Sequence, residues 1–163
     1  RFPGRVHASH QNSRRISNWQ RQFSDEQYMA VIERGGVIGM AFDIIMMQEG
    51  YVRGQSNRVV SIERAVDNID IVCQLAGNAR HVGIGSDSDL NGYDDMPADQ
   101  RKELLAMYKP SYAFRGKLDT DGFDHPRKIF DLTEALIRRG YSDDNITGVL
   151  GGNFRRLLEA TWT

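Results

Sequence analysis

Three residues far apart in the chain, His10, Asp43 and Asp87, each stand at the end of a short apolar run. An imidazole so placed can ligate zinc through one ring nitrogen while Ser9 or a backbone carbonyl holds the other. A carboxylate so placed can accept a proton when a metal or second acid tunes it. Arg21, next but one to Trp19 in a polar loop, has the planar donor fork that clamps a carboxylate. His7 points to the other face from Ala8 and weighs less. Taken singly, each is ordinary: polar residues leaving strands are commonly turn formers or helix caps, and arginines in loops are commonly solvated. Three such strand ends in succession make a site worth considering.

The segment HVGIGSDSDLNG (81–92) admits a second chemistry. Asp87, Asp89, Asn91 and Gly92 match the opening of a calcium loop, D-x-[DN]-x-[DN]-G. The twelfth position, however, is Ala98 instead of a bidentate acid. The approach carries two glycines in an apolar run, which is poor helix material. Calcium therefore gives way to a buried strand that delivers Asp87. Gly83 and Gly85 lack the third glycine of a dinucleotide loop, and nothing resembles a phosphate loop. Cys73, the one cysteine, excludes an internal disulfide and lies far from any histidine, against a thiol nucleophile.

The elements that would position these residues follow from periodicity. Strands are expected over 5–9, 36–42 and 81–85, the second an apolar run without helical period. Between the first two, Ser24 and Gln27 form a capping box for a helix that Gly35 closes. Between the last two, Ser61 caps an amphipathic helix. Its core positions are Ile62, Ala65, Val66, Ile69, Val72, Cys73 and Ala76, and Gly77 stops it. Residues 44–60 read as a long connection, and 90–124 as loop-rich with one helix at Ala98–Met107. Pro126 sits in the first turn of a helix whose apolar positions are Ile129, Phe130, Leu132, Leu136 and Ile137, closed by Gly140. Ser142 opens a short helix to Leu150, and Asn153 caps a last one through Trp162.

The order β-α-β-α-β followed by helices predicts an α/β fold with parallel strands. Three strands do not close a barrel, and a complete eight-stranded one needs about 250 residues. The 163 residues therefore form either a small open sheet or the latter part of a (β/α)8 TIM-type barrel. The opening RFPGRVHASH, without an initiator methionine, suggests a piece of a longer protein forming a single partial domain over 1–163. Net charge of −1 gives no reason to expect nucleic acid or an anionic membrane. Arg14-Arg15, Arg138-Arg139 and Arg155-Arg156 read as solvated faces. No apolar run is long enough for a membrane span and no signal peptide is visible; the sequence leaves the compartment open, with a soluble, cytoplasmic protein favoured over the alternatives.

The stretches ASHQNSR (8–14), WQRQFSDEQ (19–27), GGVIGMAF (35–42), HVGIGSDSD (81–89), LTEALIRRGYSDDNI (132–146) and LGGNF (150–154) occur in one order. Together they resemble the C-terminal half of the membrane (renal) dipeptidase family, zinc peptidases with an amidohydrolase-type barrel. The match covers nearly the whole chain and is weakest over 44–60 and 90–124. The resemblance implies a binuclear zinc site that hydrolyses dipeptides, and allows a homodimer. In it His10 matches a zinc ligand and Arg21 the arginine that holds the substrate carboxylate. Asp87 matches the acid that contacts substrate and handles protons during metal-assisted attack on the peptide carbonyl.

The sequence also departs from the family pattern. The H-x-D motif of the first strand, the bridging glutamate and another histidine ligand should all precede Arg1, so this chain carries a single expected ligand. The signature D-x-D-G reads D-S-D-L-N-G, with Ser88 where an aromatic or leucine is usual and two residues inserted before the glycine. Asn68 and Ile71 stand where the family often has two histidines. Two other functions follow from these departures. One is a non-catalytic binding or assembly protein that keeps the scaffold. The other is a related metal-dependent amidohydrolase acting on lactones or acylated amino acids.

Overall fold

The computed structural model describes residues 3–50, 60–87, 97–107 and 127–162. The altered signature at 88–92, Pro126, and most of the two irregular stretches lie outside them. Three strands, β1 (His7–Ala8), β2 (Val37–Met40) and β3 (Val82–Ile84), form a parallel sheet in sequential order. Each is shorter than its apolar run. Backbone bonds from Gln11 N to Gly39 O and from Phe42 N to Ser86 O nevertheless prolong the ladders at the C-terminal ends.

The helices are α1 (Asp25–Ile32), α2 (Ile44–Met47), α3 (Glu63–Ala76), α4 (Ala98–Met107), α5 (Lys128–Arg138), α6 (Asp143–Thr147) and α7 (Asn153–Glu159). A π-type turn, Gly148–Gly152, joins the last two. For α1, Ser24 N donates to Gln27 Oε1 at 2.9 Å, the glutamine half of the expected capping box. Gly35 takes a positive φ of 68° beyond its end, as a left-handed terminator should. The Met-rich start of the 44–60 connection is helical, because Met46 and Met47 are wholly buried and the turn lets both face the core.

Side-chain alternation divides β2 between two layers. Ile38, Met40 and Phe42 join the main core with Val66, Ile69 and Val72 of α3 and Leu132, Ala135 and Leu136 of α5. Gly39, on the opposite face, meets the backbone leaving β1. Gly83 leaves room for Phe154 of α7, whose ring lies where a Cβ would stand, 2.6 Å away. The same ring meets His7 edge-on at 6.0 Å, so His7 is a packing residue on the sheet.

Ser61 caps α3 as expected, its hydroxyl accepting a 3.3 Å bond from Glu63 N and its carbonyl a 3.0 Å bond from Arg64 N. Three expectations are corrected. Phe130 and Ile137 are 70% and 58% exposed, because α5 packs on α3 through the narrower stripe of Leu132, Ala135 and Leu136. Asn153 does not cap α7. Its buried Nδ2 donates to Ala79 O at 2.7 Å and Val82 O at 2.8 Å, docking the helix on the entry to β3. Arg139 is tied into a cluster of acids across α3 and is no isolated solvated charge.

Candidate active site

Because all three strands run the same way, His10, Asp43 and Asp87 leave the sheet at one rim. The path of the chain after β1 depends on two missing side chains. A Cβ on Gly39 would stand 2.1 Å from the Ser9 carbonyl oxygen, and one on Gly85 only 1.7 Å from it. The Ser9 carbonyl therefore lies over β2 and reaches β3. The same hypothetical Cβ on Gly85 would be 3.2 Å from His10 Cα. His10 is thus brought beside the end of β3, two residues before Asp87.

Asp87 is exposed and takes a positive φ of 58°, a conformation that aspartate tolerates better than most residues. His10 is half-buried, with Nδ1 2.7 Å from Ser9 Oγ, a hydrogen-bond separation that leaves Nε2 clear of that contact. Asp43 is half-buried, and its carbonyl accepts from Met46 N at 2.9 Å. That bond starts α2, so the Asp43 backbone serves as a helix start. Arg21 is half-buried, and its side chain makes no hydrogen bond or ion pair with the described residues.

Buried amides hold the loop above this rim. Asn12, fully buried, donates from Nδ2 to Ala41 O and accepts at Oδ1 from Ala41 N, both at 2.9 Å. It thereby mimics one more ladder pair on β2. Asn68 of α3, also fully buried, accepts from Ser13 N at 2.9 Å and donates to Arg64 O at 3.0 Å. Gln22 donates from Nε2 to Met46 O at 2.6 Å. Sequence reasoning missed these three as positioning residues. The available signal was Asn68, a polar residue amid the apolar positions of an amphipathic helix.

Among the described residues, no group of three or more His, Cys, Asp or Glu side chains gathers as a metal centre. His10 supplies one imidazole, whereas zinc sites use three or four protein ligands. The described residues therefore cannot hold a metal on their own.

A parallel sheet with helical crossovers and polar residues at its C-terminal rim defines the class of α/β proteins that bind ligands at that edge. Among solved structures, an amidohydrolase from Pseudomonas aeruginosa superposes with a TM-score of 0.76 at 22% identity, over 98% of this chain and 46% of that one. A metallopeptidase from Rhodobacter sphaeroides, liganded with a phosphinate mimic of the dipeptide L-Ala-D-Ala, gives 0.69 at 21% identity, over 98% and 37%. These likenesses show the fold, an α/β arrangement of parallel strands and helices consistent with part of a barrel. The sequence model of membrane dipeptidases, peptidase family M19, matches residues 3–104. The chain belongs to that family. It is also 27% identical to dipeptidase aclJ of Aspergillus oryzae over 150 residues, spanning 92% of this chain and 28% of that protein. The chain thus spans less than a third of the length of that relative. Among the described residues no helix is long and apolar enough to cross a membrane.

Proposed function

We propose that this chain is the C-terminal part of a single zinc-dependent dipeptidase barrel, and that the complete barrel hydrolyses dipeptides. The observation that supports it most is the crossing at the rim. The backbone leaving β1 passes over Gly39 to Gly85, so an imidazole-bearing end adjoins a carboxylate-bearing end. Family membership supplies the chemistry that this pairing serves.

In this reading His10 would be one zinc ligand, with the 2.7 Å contact between its Nδ1 and Ser9 Oγ steadying the ring and leaving Nε2 for the metal. The remaining ligands belong to the part of the barrel that this chain does not span. Zinc would supply Lewis-acid polarisation of the scissile carbonyl. Arg21, whose donors are unengaged by the described residues, binds the terminal carboxylate of the substrate through two parallel N–H groups. Asp87, exposed at the rim, moves a proton toward the leaving amine.

The test is zinc content together with hydrolysis of a dipeptide panel by the complete protein. Bound zinc with cleavage of free-carboxylate dipeptides is expected. Bound metal without cleavage of any dipeptide rejects the peptidase reading and leaves the fold untouched. Cleavage of lactones or acylated amino acids in place of dipeptides would move the protein to the neighbouring amidohydrolase reading.

A further inference from the structure

The loop joining β1 to α1 is closed at its neck, where Phe23 N donates to Asn12 O and Arg14 N to Phe23 O, both at 3.0 Å. Across that neck the Arg14 side chain makes two further bonds. Its Nε donates to Gln22 O at 2.7 Å, and its Nη2 donates to Gln20 O at 3.0 Å. Those two carbonyls flank Arg21. On the far side, Gln22 N donates to Trp19 O at 2.9 Å, and the buried Gln22 side chain is tied to Met46 O. The backbone of Arg21 is therefore gripped on both sides while its own side chain stays unengaged among the described residues.

We propose that Arg14 is a positioning residue for Arg21, holding its backbone so that its guanidinium can receive a substrate carboxylate. The proposal rests on reading Arg21 as the carboxylate-binding residue. A rigid fork suits this task because one planar group satisfies two carbonyls at a fixed separation, and charge-assisted bonds to them are stronger than neutral ones. Lysine has a single flexible ammonium and cannot reproduce that span. The neighbouring Arg15 shows the contrast, since it pairs with the Asp25 carboxylate on the surface.

The complete protein, as wild type and with Arg14→Gln, Arg14→Lys or Arg21→Ala, is assayed on a dipeptide and its C-terminally amidated form. Hydrogen exchange across residues 19–23 is measured alongside. Arg14→Gln should raise KM for the free-carboxylate dipeptide about tenfold with kcat within about twofold, and should narrow its preference over the amide. Arg14→Lys should not restore that preference, and exchange should quicken in both variants. A merely structural role would lower Tm without changing the preference between the two substrates, and that outcome overturns the proposal. Unchanged exchange across 19–23 overturns it equally, whether or not any dipeptide is cleaved. If Arg14→Gln does not fold, Arg14→Lys carries the test, and a wild-type preference in it is fatal. Should Arg21→Ala keep the wild-type preference, the reading of Arg21 itself falls, which the other variants cannot mimic.

Discussion

Two regions of this molecule are held by opposite means. The loop above the strand ends is pinned by buried amides: Asn12 on Ala41, Asn68 on Ser13 and Gln22 on Met46. The outer face where α5 crosses α3 is pinned by charge. Arg139 reaches Glu63 at 2.7 Å, Asp67 at 3.1 Å and Asp70 at 2.7 Å, and Arg138 reaches Glu63 at 2.9 Å. Tyr141 adds a hydroxyl bond to Asp70. Neutral amides away from water bond with little regard to salt or pH, and leaving one partner alone costs the full desolvation penalty. Charges at the surface are screened and weakly coupled. The rim that would carry chemistry is thus built for rigidity, and the outer face for solubility with modest adhesion.

This contrast can be broken most severely at the glycines beneath the loop. Gly85→Ala would press a methyl group against the Ser9 carbonyl, a backbone atom that cannot rotate away. A loss of about 3 kcal/mol or more is expected, beyond the usual overpacking range because backbone must move. Urea denaturation measures it, and wild-type stability would show that Ser9 does not cross β3. Asn12→Ala comes next. It strands the Ala41 N–H and carbonyl together, for a loss of roughly 2–4 kcal/mol that should persist in high salt. A loss that disappears in salt would erase the distinction between the regions.

The outer face should respond least. Arg139→Gln is expected to cost about 1 kcal/mol or less, and the difference from wild type should shrink in concentrated salt. The same face should show a pH signature. The Arg139 and Arg138 guanidiniums hold the Glu63 carboxyl below its ordinary value of 4.5. A depressed carboxylate contributes stability that is complete above the unfolded value and is lost as pH falls through the folded one. Wild type and Arg139→Gln should therefore converge in Tm as pH drops below about 4.5.

Much of the fold was legible because helices and strands are written in short-range periodicity. The α3 stripe from Ala65 to Val72 needs only neighbours three and four residues away to declare itself, and it is buried as read. The same rule failed on α5, where Phe130 and Ile137 fit an apolar stripe wider than the surface α3 offers. Asn153 failed differently. A residue suited to capping a helix is equally suited to donating to distant carbonyls, and Ala79 and Val82 decided between the two. The acids at Glu63, Asp67 and Asp70 share a helical face, yet nothing local says that Arg139 will lie across them.

The order of strands and helices, and the residue types at the strand ends, were determined by the sequence alone. Both follow from local pattern and chain direction. Packing alone decided that Ser9 crosses Gly39 to Gly85, and that buried amides lock the loop around Arg14 and Arg21. Such contacts join residues tens of positions apart, and a hydrogen-bonding group does not carry the address of its partner.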